Sequence, residues 1–144
     1  RAQQILYGPT LEPYLFGEQI GRTLVTKSKL RPRVVCTDRE PALAVGEFVD
    51  VPVVLVLPAE TDATASPAGN EPDTWRLDAA HPGVSGLVAF RHGPNRLAVA
   101  EPDAGDVSVV TEHLGQLPRT FDLAEPFERI RQAIDEARQG AKRA

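Results

Sequence analysis

The 144-residue chain contains no methionine and a single cysteine, Cys36. One thiol excludes an intrachain disulfide and a thiolate-rich zinc site built by this chain alone. It also points to a reducing, cytoplasmic setting. No apolar run approaches the roughly twenty residues that span a bilayer, and the opening Arg1-Ala2-Gln3-Gln4 lacks the pattern of a secretion signal. No membrane partner is therefore expected. Basic charge is also short: 16 Lys and Arg against 20 Asp and Glu leave a net charge of −4. Nucleic acid is an unexpected partner for such a surface, because its binding rests on clustered Lys and Arg. An arginine at position 1 and the absence of methionine lead to the expectation of a piece trimmed from something longer, and thirteen Arg against three Lys suggest GC-rich bacterial coding.

Against these absences stand 42% hydrophobic and 25% charged residues, the proportions of an ordinary globular domain. A chain of this length buries about two-thirds of the surface that its unfolded form exposes, so residues 1–144 are read as a single domain. A first helix is expected from Thr10 to about Lys27, with Phe16, Ile20 and Leu24 forming an apolar stripe at intervals of four. Gly17 and Gly21 lie beside that stripe, where each costs about 1 kcal/mol relative to alanine. Two glycines at this spacing predict another backbone in close approach.

The β-branched runs Arg33–Thr37 and Val51–Leu57 flank an amphipathic segment of ten residues, the pattern of a parallel β-α-β unit with a right-handed crossover. Asp38 is placed to cap the intervening helix, with Glu40 and Pro41 in its first turn. A flexible internal loop is expected at about 59–73, where Pro, Gly, Ser, Asn and acidic residues follow one another without apolar periodicity. Antiparallel strands then follow: Thr74–Leu77, Gly86–Arg91 and Arg96–Ala100 around the turn His92-Gly93-Pro94-Asn95, and Val107–Thr111. A last helix carries Leu123, Phe127, Ile130, Ile134 and Ala137 on one face and ends at Gly140. The fold class is thus α/β, a mixed sheet with helices at both chain ends.

Most catalytic patterns lack a required part. Gly83-Val84-Ser85-Gly86 has its second glycine one place too early for a nucleophile elbow and reads as a turn into a strand. His81, His92 and His113 lack the helical spacing of a zinc protease site and read as surface residues beside turns. Cys36 reads as a buried, poorly nucleophilic thiol. Neither glycine-rich phosphate loop is present, so no nucleotide cofactor is predicted. Tyr7, Tyr14 and Trp75 are too scattered to form a base-stacking platform.

One constellation remains. Ligands of open α/β sheets gather outside the carboxyl ends of the strands, where Asp38 and Glu40 follow the first parallel strand and Glu60 and Asp62 follow the second, with Arg39 among them. Such carboxylates could hold Mg²⁺, and Asp38, Arg39 and Glu60 could serve a divalent-metal-dependent hydrolase or phosphoryl transfer. Capping and loop solvation explain the same acids without chemistry. The preferred expectation is a non-catalytic regulatory or protein-interaction domain that contacts another protein or its own copy, as a homo-oligomer. Its surfaces would be an open sheet edge near Leu87–Phe90 and Val107–Val110 and the glycine face of the first helix.

Overall fold

The computed structural model describes residues 2–58, 74–84 and 86–143. The chain starts with a nearly continuous helical run: α1 (Ala2–Tyr7), a 3-10 turn at Gly8–Thr10, α2 (Leu11–Pro13), a π-helical stretch at Tyr14–Gly21 and α3 (Arg22–Lys27). Strand β1 (Val35–Thr37) leads through a 3-10 helix at Glu40–Glu47 to β2 (Val53–Val56). After β3 (Trp75–Leu77) come β4 (Leu87–His92), β5 (Asn95–Ala100), α4 (Asp106–Leu114) and α5 (Glu125–Arg143). The expected loop at about 59–73 lies outside the described residues.

The five strands form one mixed sheet in the order β1-β2-β5-β4-β3. β1 and β2 are parallel, with Cys36 opposite Val54, and every other pairing is antiparallel. The strand period of two sorts β2 cleanly. Val53 and Leu55 face one side with Leu43, Val45, Leu87 and Ala98. Val54 and Val56 face the other with Phe90, Leu97, Val99, Val110, Leu114 and Leu123. All four β2 residues are buried and Val54 is fully so, at 0% exposure. A helical layer on each face explains why these strands read as continuous apolar runs instead of alternating ones. Between β4 and β5 the chain reverses in two residues. Gly93 adopts φ +58°, as a tight hairpin turn demands at its first position, and Pro94 follows with its ring-fixed negative φ.

Two expectations are corrected, and the apolar stripe of the first helix is placed. Val107–Thr111 is not a strand but the body of α4, where Val110 and Leu114 are buried four residues apart on one helical face. Leu87–Phe90 is not an open edge, because β4 pairs with β3 on one side and β5 on the other. The stripe of the first helix points outward: Ile20 and Leu24 are exposed while Leu11 and Gly17 are buried.

The glycine face turns inward instead. A Cβ at Gly17 would lie 2.6 Å from Ala44 Cβ and 2.9 Å from Val45 N, and one at Gly21 would lie 2.9 Å from Val45 Cγ2. The expected close backbone is thus the 3-10 helix Glu40–Glu47 of the same chain, which occupies the glycine surface and leaves it unavailable to a partner. Among the described residues, no helix is long and apolar enough to cross a membrane.

Candidate functional site

The carboxyl edge of the parallel pair collects Asp38, Arg39 and Glu40, as the β-α-β reading requires, and each has a partner within the chain. Asp38 does not cap the following helix. Arg39 occupies the N-cap position without a side-chain cap bond, and the Arg39 N–H is taken by Thr37 Oγ1 at 3.1 Å. Asp38 instead accepts a hydrogen bond from Arg131 Nη2 of α5. The Arg39 guanidinium lies over the Phe16 ring, 5.3 Å from its centroid. Both Glu40 carboxylate oxygens receive backbone donors, Ala80 N–H at 2.9 Å and His81 N–H at 2.7 Å. Glu60 and Asp62, expected beside this group, lie outside the described residues.

His81 belongs to the same network and is not the surface residue that its position beside a turn implied. Its side chain is 18% exposed, with Nε2 at 2.8 Å from Glu12 Oε2 of α2. Nδ1 accepts the Gly83 N–H at 3.1 Å. With an acceptor role at Nδ1 and a carboxylate at Nε2, both ring nitrogens are engaged inside the protein, which suits fixing a loop better than moving a proton. Gly83 seals the contact. A Cβ there would lie 2.2 Å from Pro9 O, so only glycine lets the loop come this close to the N-terminal helical run. The turn expected at this point is present, with Val84 N–H on His81 O at 3.1 Å, and Ser85 lies outside the described residues.

The C-terminal helix is anchored at two points. Buried Asn95, at the start of β5, donates from Nδ2 to Phe121 O at 2.8 Å and to His92 O at 3.2 Å, and accepts the Leu123 N–H at 2.8 Å. Asp122 Oδ1 then takes the Ala124 N–H at 2.9 Å, satisfying a donor at the helix start. The second anchor is the Arg131–Asp38 ion pair. Because β5, β2 and β1 are consecutive in the sheet, these anchors carry the first turns of α5 from the start of β5 to beyond the end of β1. The helix therefore runs by the very edge where open α/β sheets take ligands.

Beyond these anchors α5 has no buried residue. Phe127 still packs against the core cluster, but Ile130 is 56% and Ile134 45% exposed. The helix continues past the expected stop at Gly140 to Arg143. Phe121 and Leu117, just before it, are exposed as well. Nothing local in the sequence separates the part of the apolar face that docks from the part that does not.

Two depressions are lined by described residues. One, of about 310 Å³, is lined by Asp50, Asp103 and Asp106 among backbone and valine surface. Burial, and then the charge of Asp106, hold the Asp103 carboxyl above its ordinary range. The other, of about 400 Å³, lies between the β4–β5 turn and the end of α4 and includes Arg91, His92 and Arg119. Neither was signalled by a motif. Among the described residues, no three His, Cys, Asp or Glu side chains are grouped to hold a metal ion. Cys36 has its thiol pushed up by burial, in line with its strand position. No protein-family model, curated protein or solved structure matches this chain.

Proposed function

We propose that this chain is a non-catalytic interaction domain that presents the outer apolar face of its C-terminal helix to another protein or to its own copy. The observation that carries the reading is the exposure of Ile130 and Ile134 on a helix whose preceding turns are firmly docked. Large aliphatic side chains continuing a core-facing stripe into solvent are an unfavourable surface unless something covers them. The two surfaces first expected, a sheet edge and a glycine face, are both occupied within the chain, so the reading moves to α5. A cytoplasmic setting belongs to the same proposal and rests on the lone thiol, Cys36.

The metal-dependent hydrolase or phosphoryl-transfer alternative draws on Asp38, Arg39, Glu40, Glu60 and Asp62. The three described members already hold α5, Phe16 and the Ala80–His81 loop. Drawing Asp38 or Glu40 to Mg²⁺ would leave Arg131 or two backbone donors without their acceptor.

The test compares affinity capture by the wild-type chain and by Ile134→Asp, with thermal melts in millimolar Mg²⁺ alongside. Capture that depends on Ile134, with a melting temperature indifferent to Mg²⁺, is the expected result. Equal capture by both baits, or none by either, together with a metal-dependent rise in melting temperature, would replace this reading by the enzyme.

A further inference from the structure

We propose that the end of the first helical run and the connector after it, residues 20–33, form a docking surface for an anionic phospholipid bilayer. This surface is separate from the outer face of α5. Residues 19–37 contain five basic side chains and no acidic one, in a chain whose net charge is −4. Arg22 is occupied, lying over the Phe48 ring at 5.6 Å from its centroid. Lys27, Lys29, Arg31 and Arg33 are all exposed, and among the described residues none of the four has an ion-pair partner. Even the exposed acids Glu47 and Asp50, on either side of Phe48 in the chain, pair with none of them. Lys27 stands in the last turn of α3, where it complements the helix dipole. The other three lie beyond the helix, and no such role is left for them.

Large aliphatic side chains are interleaved with these charges. Ile20, Leu24 and Leu30 are 49%, 68% and 79% exposed. Ile20 and Leu24 stand four residues apart, with Lys27 three further on, along one flank of the helical run. Leu30, whose N–H is held by Ser28 Oγ at 3.2 Å, stands between Lys29 and Arg31. Six residues from Lys27 to Arg33 span at most about 21 Å even when fully extended, so the four cations and Leu30 fall within one patch.

That mixture selects the occupant. At the boundary of an anionic bilayer, ammonium and guanidinium groups stay among the phosphates while aliphatic side chains enter the apolar layer. A chain without a spanning helix can rest on such a surface, because it lies on the bilayer and does not cross it. The rest of the chain is more acidic than the whole, so the same field turns it outward and this patch inward. Nucleic acid would use the charges alone, since residues 19–33 include no aromatic side chain on which a base could stack. A folded protein partner reads a helix or strand by its period, and residues 28–34 belong to neither. A fluid surface needs no register.

Co-sedimentation of the whole chain with extruded vesicles tests the proposal, using phosphatidylcholine alone and phosphatidylcholine with about 30% phosphatidylglycerol. Binding to the anionic vesicles, absent with the neutral ones and weakened by added salt, is expected. Each basic side chain beside such a surface strengthens binding about fivefold, so Lys29→Gln with Arg31→Gln should weaken it about 25-fold. Leu24→Ser with Leu30→Ser should weaken it at least about tenfold, with far-UV circular dichroism unchanged. Ile134→Asp should bind as the parent does. No binding to the anionic vesicles at low salt overturns the proposal. Binding that survives the loss of both leucines overturns it too, and marks a general polyanion site that RNA or an acidic protein would fill equally well. Loss of vesicle binding in Ile134→Asp would move the lipid contact to α5 and overturn the assignment to residues 20–33.

Discussion

The side-chain amide of Asn95 holds the backbone of Leu123 across 28 residues of sequence, with the Leu123 N–H 2.8 Å from Asn95 Oδ1. Asn95 is the one buried polar side chain among the described residues. Its amide also reaches Phe121 O and His92 O. A hairpin turn, the approach to α5 and the core residue Leu123 are thus tied by one group. Asn95→Ala leaves a buried donor and acceptors unsatisfied and should cost about 3 kcal/mol. Urea denaturation measures this directly, and a loss below about 1 kcal/mol would show that the tie contributes little beyond an ordinary hydrogen bond.

Two glycines in helices should respond oppositely to alanine. At Gly17 the added methyl would meet Ala44 Cβ and the Val45 backbone nitrogen at under 3 Å, so Gly17→Ala should cost about 1–3 kcal/mol despite the better helix propensity. At Gly140 nothing lies within 4 Å, and Gly140→Ala should stabilise α5 by up to about 1 kcal/mol. Thermal melts of both variants check the contrast. A Gly17→Ala protein as stable as the parent would mean that the helical run and Ala44 can move apart freely.

Asp103 introduces a pH dependence of determinate sign. Burial first, and the neighbouring Asp106 charge second, raise its carboxyl above the ordinary range. The folded state therefore keeps this proton to higher pH than the unfolded state does. Stability falls as pH rises from the unfolded value through the raised folded one, and the loss is complete above it. Asp103→Asn removes the ionisation. The variant should melt higher than the parent above that window and equally below it, in melts across a pH series. Equal melting temperatures throughout would show that solvent screens the carboxylate fully.

The parallel pair was legible because a strand covered on both faces must be apolar at every position, and Val53–Val56 has no polar residue to confuse the reading. The glycine approach was legible because helix glycines carry a cost that packing must offset. α4 was misread through the valine-rich run Val107-Ser108-Val109-Val110, although Val107, Val110 and Leu114 also stand at the helical spacing of three and four. In the first helix the apolar stripe and the two glycines beside it were both legible, and the close approach of the 3-10 helix shows that the row of small residues is the face that docks. The edge site was only half legible. The carboxylates and their place could be read from the strand ends, but the groups that satisfy them are distant: Arg131 is 93 residues from Asp38, and the Ala80 and His81 amides are 40 and 41 residues from Glu40. A backbone donor has no signature in the side-chain sequence.

The borders of the sheet, β1 and β3, are three residues each. Strands that short expose too few backbone donors and acceptors to template a further chain, a protection against fibre growth used widely by β proteins. Crowding of many copies therefore has no open-ended route through the sheet. Concentrated solutions should stay free of cross-β material, as thioflavin fluorescence can report, even under conditions that drive helices together.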